Sequence, residues 1–338
     1  MFGAGTCRWR EIVVAQKPKL IVTRKLPDAV EDRMAALFDA ALNAGDRPFS
    51  QAELAAAFSA ADVIVPTVSD QIDAEVIGAA GPNLKLLANF GVGVNHIDLG
   101  AARAKGLMVT NTPDVLTEDT ADLAMALILM GARRLGEGER MARAGGWTGW
   151  APTQHLGGRV NGARLGIIGM GRIGAALARR ARGFAMAVHY HNRGPVADGL
   201  AAELAATYWD DLDAMIGFVD ILSVNCPLSP ETYHLLSAER LARLQPHAIV
   251  VNASRGGIID EAALADALGR GAIGGAGLDV FEGEPAIHPA LLGLENVVLL
   301  PHLGSATLQG RIDMGMRVIA NVEVFLAGRD PGDKVDLD

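Results

Sequence analysis

The segment Arg164-Leu-Gly-Ile-Ile-Gly-Met-Gly-Arg-Ile-Gly-Ala-Ala-Leu177 restricts the possible folds of this chain more than any other. A short apolar run meets a G-x-G-x-x-G turn, and a helical pattern follows. Gly169 permits the tight turn, Gly171 lets the backbone approach a pyrophosphate, and Gly174 lets the helix pack close to the strand. The helix N-terminus then offers free N–H groups and partial positive charge to phosphates. In a chain with 40 glycines such a motif alone says little. Here strand, turn, helix and following strand are all in place, which reads as a dinucleotide-binding unit.

Around that turn, apolar runs alternate with helical patterns. Leu20–Thr23, Val63–Thr67, Lys85–Ala88 and Met108–Thr110 read as buried strands, and Asp28–Ala44, Asp70–Ala79 and Ile97–Lys105 as helices. A long helix is expected from Glu118 to Ala144, capped by Thr117 and ended by Gly145–Gly146. A second series carries six strands: Arg164–Ile168, Ala187–His191, Asp220–Asn225, Ala248–Asn252, Gly275–Asp279 and Val297–Leu300. Alternation of this kind implies parallel sheets with helical crossovers, hence an α/β fold of two Rossmann-like units. The first covers about residues 17–115 and the second 116–306; the periodicity of a last amphipathic helix, with Leu308, Ile312, Met316, Ile319 and Phe325, leaves open which unit it joins.

Composition narrows the function. A formal net charge of −9 argues against nucleic-acid and membrane-surface partners. Only two cysteines occur, Cys7 and Cys226, with no C-x-x-C pattern, which excludes a disulfide framework and fits a reducing cytoplasm. The extension Met1–Gln16 lacks the apolar core of a signal peptide. The most apolar stretch, Leu123–Met130, falls far short of the ~20 residues that span a bilayer and reads as a buried helix. The eight histidines show no metal-ligand spacing, so no metal is expected.

The strand after the glycine turn, Val188-His-Tyr-His-Asn-Arg193, is expected to end near the adenosine ribose. NAD-selective sites usually carry Asp or Glu there. This chain has Asn192 and Arg193, and an arginine pairs with a 2′-phosphate through charge-assisted bonds, so NADPH is the expected cofactor with NAD also possible.

Three polar residues stand just after strands of the second unit, where ligands of open α/β sheets are met. Arg255 follows Ile249-Val-Val-Asn-Ala-Ser254, Glu284 follows Gly277-Leu-Asp-Val-Phe-Glu-Gly283, and His302 follows Val297-Val-Leu-Leu-Pro301. An imidazole can exchange a proton with a substrate oxygen while hydride moves to or from the nicotinamide ring. A neighbouring carboxylate orients that imidazole and favours its protonated form. A guanidinium can clamp a substrate carboxylate at two points and fix the carbonyl face presented.

In these residues the chain resembles the D-isomer-specific 2-hydroxyacid dehydrogenases. The matching segments are Leu165–Gly174, Cys226-Pro-Leu228, Asn252-Ala-Ser-Arg-Gly256, Asp279-Val-Phe-Glu-Gly-Glu-Pro285 and Pro301-His-Leu-Gly-Ser-Ala306. The resemblance implies Arg255 for substrate binding, Glu284 as the histidine's partner and His302 as the acid/base. It implies a cofactor set of Thr120, Gly169, Gly171, Arg172, Ile173, Gly174, Asn192, Arg193, Cys226, Pro227, Ala253, Asp279 and Gly304. It also implies that the last helix returns to the first unit. Residues 1–115 and 307–338 then form a flavodoxin-like substrate domain, residues 116–306 form the dinucleotide-binding domain, and the active site lies in an interdomain cleft.

Asn89-Phe-Gly-Val-Gly-Val-Asn95 has two glycines two apart and can present consecutive N–H groups to an anion. By the resemblance this loop holds the substrate carboxylate, with Val92 and Gly93 as donors, while Phe90, Leu116 or Trp150 limits the room for the substrate's side chain. Gly146-Trp-Thr-Gly-Trp150 is similar to the glyoxylate/hydroxypyruvate reductase branch. There the second tryptophan reaches into the neighbouring subunit's site, which implies a homodimer, the long apolar helix as its surface, and glyoxylate or hydroxypyruvate as substrate. Other readings stay open: a dehydrogenase for another 2-keto acid, a formate or phosphonate-type dehydrogenase of related fold, and a non-catalytic dinucleotide-sensing binding protein, since fold alone does not fix function.

Overall fold

A computed structural model describes residues 17–337; the extension Met1–Gln16, with Cys7, lies outside the described residues. The chain divides into two compact units, one running to Thr112 and resuming at Gly315, the other Pro113–Met314.

In the first unit, β1 (Lys19–Val22), β2 (Asp39–Ala41), β3 (Val63–Val65), β4 (Leu86–Ala88) and β5 (Met108–Thr110) form one parallel sheet in the order β2-β1-β3-β4-β5. That is the flavodoxin-like order. The central strands bury both faces, which is why they read as unbroken apolar runs rather than alternating ones. The C-terminal segment belongs here: Val335 N–H donates to Val109 O at 2.8 Å, and Gly315 packs against Val30.

The expected helix Asp28–Ala44 is shorter. It runs Asp28–Leu37, and Phe38 turns the chain into an extended conformation while its ring enters the core. Asp39–Ala41 then pairs with β1 as an edge strand, tertiary pairing overriding the helix preference of two alanines. The helix Gln51–Ala60, capped by a reciprocal Ser50–Glu53 box, escaped the sequence reading although its signature is present.

The second unit holds seven parallel strands: β6 (Arg164–Ile168), β7 (Ala187–His191), β8 (Ala206–Tyr208), β9 (Ile221–Val224), β10 (Ile249–Asn252), β11 (Gly275–Leu278) and β12 (Val297–Leu299). Their order is β12-β11-β10-β9-β6-β7-β8, a doubly wound sheet whose order reverses between β6 and β9. Six strands were expected; the extra one, β8, has three residues, too few for a periodic signal.

The expected long helix is two helices, Thr117–Ala132 and Leu135–Arg143, broken where Arg134 adopts φ +53°. The break has a partner: Gly158 N–H reaches Ala132 O at 2.7 Å, ending the first helix from outside. Thr117 is the first helical residue rather than its cap, and Leu116 before it makes no side-chain capping bond. In the first of these helices Ala121, Ala124, Leu127 and Ile128 are fully buried within its own unit, while Leu123, Leu129 and Met130 are half-buried. Among the described residues no helix is long and apolar enough to cross a membrane.

Phe58 is 0% exposed in the core of the first unit, against Leu54, Ile64 and Leu87. Phe58→Ala should lower that unit's stability by about 3–5 kcal/mol through lost burial and a residual cavity. In urea titrations, cleavage sites in the first unit should open well before those of the second.

Candidate active site

The glycine turn sits at the reversal between β6 and β9. Gly169 has φ +95°, and a Cβ there would stand 2.6 Å from Cys226 N. Only glycine fits both the turn and that approach. A Cβ on Gly174 would stand 2.4 Å from Gly169 O, whereas one on Gly171 would meet nothing within 4 Å. That combination, two glycines packed inward and one open, leaves room for a pyrophosphate at the start of the helix Arg172–Gly183. The residues present fit a dinucleotide. Arg172 pairs with Asp114 at 2.6 Å, and Ile173 is half-buried against the core.

At the end of β7 the Asn192 side chain does something the sequence did not announce. Its Oδ1 accepts the Met170 N–H at 2.7 Å, tying the strand end to the glycine turn. Arg193 is exposed beside it. On the β9 side, Pro227 is exposed and Cys226 is half-buried, and burial pushes the Cys226 thiol up to about 11, so it stays protonated and unreactive at neutral pH. Ser254 Oγ donates to Cys226 O at 2.6 Å, joining the loops after β9 and β10, with half-buried Ala253 packed on the core.

Arg255 is placed by its neighbours. Asn252, buried at the end of β10, accepts from Ser254 N at 3.0 Å and donates to Arg255 O at 2.9 Å, folding the loop into a turn. The next residue, Gly256, lies so close to the Phe281–Glu282 backbone that a Cβ would fall 1.9 Å from Phe281 C. This contact brings the Arg255 loop against the loop that carries Glu284, and sequence reasoning missed it. Burial pulls the Arg255 guanidinium below its ordinary value, and the nearby Glu284 charge opposes that. An arginine remains charged regardless.

His302 Nδ1 and Glu284 Oε2 are 2.8 Å apart, and Glu284 Oε1 accepts the Phe281 N–H, also at 2.8 Å. Burial alone would raise the Glu284 carboxyl. The His302 and Phe281 hydrogen bonds and the Arg255 charge outweigh it and hold the group below its ordinary value. Glu284 is therefore an ionised, acceptor-only partner at neutral pH, which assigns the Nδ1 hydrogen to His302 and leaves Nε2 as the second proton-exchanging atom.

The backbone of His302 is held by Asp279, which is 1% exposed. Asp279 O accepts the His302 N–H at 2.9 Å, while its two carboxylate oxygens take Leu303 N at 2.6 Å and Gly304 N at 2.8 Å. Gly304 O in turn accepts from Thr120 Oγ1 at 3.1 Å. Burial pushes the Asp279 carboxyl up against the pull of those amides and of His302. Thr120, Asp279 and Gly304 thus meet in one polar chain under the histidine.

Val92 and Gly93 stand in the first unit, on the loop after β4, with Val92 exposed and Gly93 half-buried. Phe90 is buried in its own unit, Leu116 is half-buried, and Trp150 is 83% exposed in a stretch without regular structure. Phe90 is the least able of the three to border a substrate. Among the described residues no group of His, Cys, Asp and Glu is arranged to hold a metal ion.

The NAD-binding domain of the D-isomer specific 2-hydroxyacid dehydrogenases matches residues 125–304. A glyoxylate reductase of Thermococcus onnurineus is 42% identical over 319 residues, covering 93% of this chain and 95% of that protein. A glycerate dehydrogenase of Hyphomicrobium methylovorum is 36% identical over 314 residues, covering 93% and 98%. A solved NADPH-dependent glyoxylate/hydroxypyruvate reductase from Sinorhizobium meliloti, in complex with NADP and malonate, superposes with a TM-score of 0.85 at 36% identity, covering 95% and 98%. With the glycine turn and the strand-end residues on one parallel sheet, these matches make the chain a member of the D-isomer specific 2-hydroxyacid dehydrogenases, NAD(P)-dependent oxidoreductases of the CH–OH group of 2-hydroxy acids.

Proposed function

We propose that the protein reduces glyoxylate or hydroxypyruvate with NADPH, using His302 as proton donor. The observation that carries this reading is the 2.8 Å contact between His302 Nδ1 and an ionised Glu284, at the same sheet edge as the glycine turn. A dinucleotide held at the Gly169–Gly174 turn would supply the hydride for the keto carbon. The work of the chain's own residues is to hold the substrate and complete the alcohol. His302 Nε2 gives its proton to the developing alkoxide, and Glu284 keeps the ring in the tautomer and orientation that allow this. Arg255 engages the substrate, its charge strengthened in effect by partial burial. The backbone amides of Val92 and Gly93 hold the carboxylate. The first unit is accordingly the substrate domain and the second the cofactor domain.

The relatives named above as glyoxylate reductase and glyoxylate/hydroxypyruvate reductase favour the smallest keto acids. NADPH is favoured by exposed Arg193, by the lack of an acidic residue at the end of β7, and by the NADP in the Sinorhizobium relative. The cofactor contacts are assigned to Thr120, Gly169, Gly171, Arg172, Ile173, Gly174, Asn192, Arg193, Cys226, Pro227, Ala253, Asp279 and Gly304. Exposure of Trp147 (62%) and Trp150 (83%) favours a homodimer in which Trp150 enters the partner's site.

A steady-state matrix tests the reading. Glyoxylate, hydroxypyruvate, pyruvate, 2-oxoglutarate and phenylpyruvate are each assayed with NADPH and NADH. The first two with NADPH should give the highest kcat/KM, and Arg193→Ala should cut the NADPH-over-NADH ratio by about tenfold or more through loss of a charge-assisted contact. Equal efficiency with both cofactors in wild type would remove the NADPH assignment. Zero turnover across the panel with tight dinucleotide binding would instead favour a sensing protein.

In sedimentation at assay concentration the protein should run as a dimer, with Trp150→Ala raising KM for the keto acid. A monomer with full activity would rule out the shared site.

A further inference from the structure

Within the first unit, the loop Gly91–Gly93 is held by its carbonyl oxygens. Asn89, 0% exposed at the end of β4, donates from one amide nitrogen to Gly91 O at 3.0 Å and to Gly93 O at 3.1 Å. The carbonyl between them, Val92 O, accepts from Asn111 Nδ2 at 2.9 Å. Thr112 N–H adds a second bond to Gly91 O at 3.1 Å. Three successive carbonyls are therefore drawn toward the body of the unit. Among the described residues the Val92 and Gly93 amides have no protein acceptor. Because a peptide is planar, fixing each carbonyl also fixes the direction of the N–H that follows it.

Both asparagines are themselves fixed. His96 Nε2 lies 3.0 Å from Asn89 Oδ1, an atom that only accepts, so the ring donates and the amide orientation of Asn89 is set. Asn111 is locked by its backbone: its N–H donates to Asp333 O at 3.1 Å and its carbonyl accepts from Asn321 Nδ2 at 3.1 Å. Asp333 and Asn321 belong to the C-terminal segment that rejoins this unit.

We infer that Asn89 and Asn111 are positioning residues for the carboxylate-binding loop: by holding the carbonyls of Gly91, Val92 and Gly93 they aim the Val92 and Gly93 amides at the substrate's carboxylate. This rests on the reading that those two amides bind the carboxylate. An apolar side chain at either position would free the peptides to rotate, so anion binding would weaken while the dinucleotide site and the His302–Glu284 pair, in the other unit, keep their geometry. The signature is a rise in substrate KM with kcat retained, the mark of an interaction made equally in ground and transition states.

The test uses the full-length protein loaded with NADP, with oxalate as the anion probe. Asn111, half-buried, is the primary position, as Asn111→Ala and the size-preserving Asn111→Asp; Asn89→Ser is the second. Thermal melting and NADPH binding confirm that each variant is folded. Asn111→Ala should raise KM for glyoxylate and Kd for oxalate about tenfold, the scale of a hydrogen bond to a charged group, with kcat and NADPH Kd within about twofold. Asn111→Asp, which sets an acceptor against Val92 O, should do at least as much. Amide resonances of Val92 and Gly93 should move on adding oxalate to wild type and move less in the variants. If they move in wild type but folded Asn111 and Asn89 variants keep their KM, oxalate Kd and amide response, the inference is overturned and the carboxylate reading stands. If they are silent in wild type although oxalate inhibits, the carboxylate reading fails and takes the inference with it.

Discussion

Asp279 is the constraint on which the site depends. His302 sits at φ +54°, a conformation that costs a non-glycine residue about 1–2 kcal/mol, and it is kept there by three hydrogen bonds from its own segment to one buried residue. Amide bonds to a carboxylate are worth roughly 1.5–3 kcal/mol each, so the clamp outweighs the strain. The Asp279 N–H is in turn bonded to Asn252 O at 2.9 Å, and Asn252 shapes the Arg255 turn. The imidazole and the guanidinium are thus hung from two adjacent residues at the ends of β10 and β11. A parallel sheet makes this economical, because every strand delivers its last residue to the same edge. Residues as distant in sequence as Gly169 and His302 are delivered to that edge without any long-range device beyond strand pairing.

The second theme is the use of missing side chains. Gly169 and Gly256 are both places where the backbone of one strand-end loop presses on the backbone of another. The first sets the glycine turn beside the end of β9, and the second joins the Arg255 loop to the Glu284 loop. Neither contact involves a side chain; backbone lies directly on backbone.

The sequence made the glycine turn, the strand-end positions of Arg255, Glu284 and His302, and most of the buried strands legible, because each has a strong local signature. What stayed hidden was decided by tertiary contact. β2 is an edge strand of three residues whose alanines carry no β preference. At the break beside Arg134, Ala132 O is taken by the N–H of Gly158, far downstream in sequence. Asn192 invited a reading about ribose, while its oxygen is occupied by Met170 N. Asn89, Asn111 and Gly256 carried no motif that distinguished them from ordinary loop residues, since their meaning lies in which backbone atoms they face.

The central claim is that His302, oriented by Glu284, delivers the proton that accompanies hydride transfer. Single-turnover reduction of glyoxylate by NADPH-loaded protein measures that step directly. His302→Gln should slow it by about 10²–10⁴-fold, the usual worth of a positioned acid, and Glu284→Gln should slow it by a smaller factor, with NADPH binding unchanged in both. A His302→Gln protein that turns over at the wild-type rate would contradict the account.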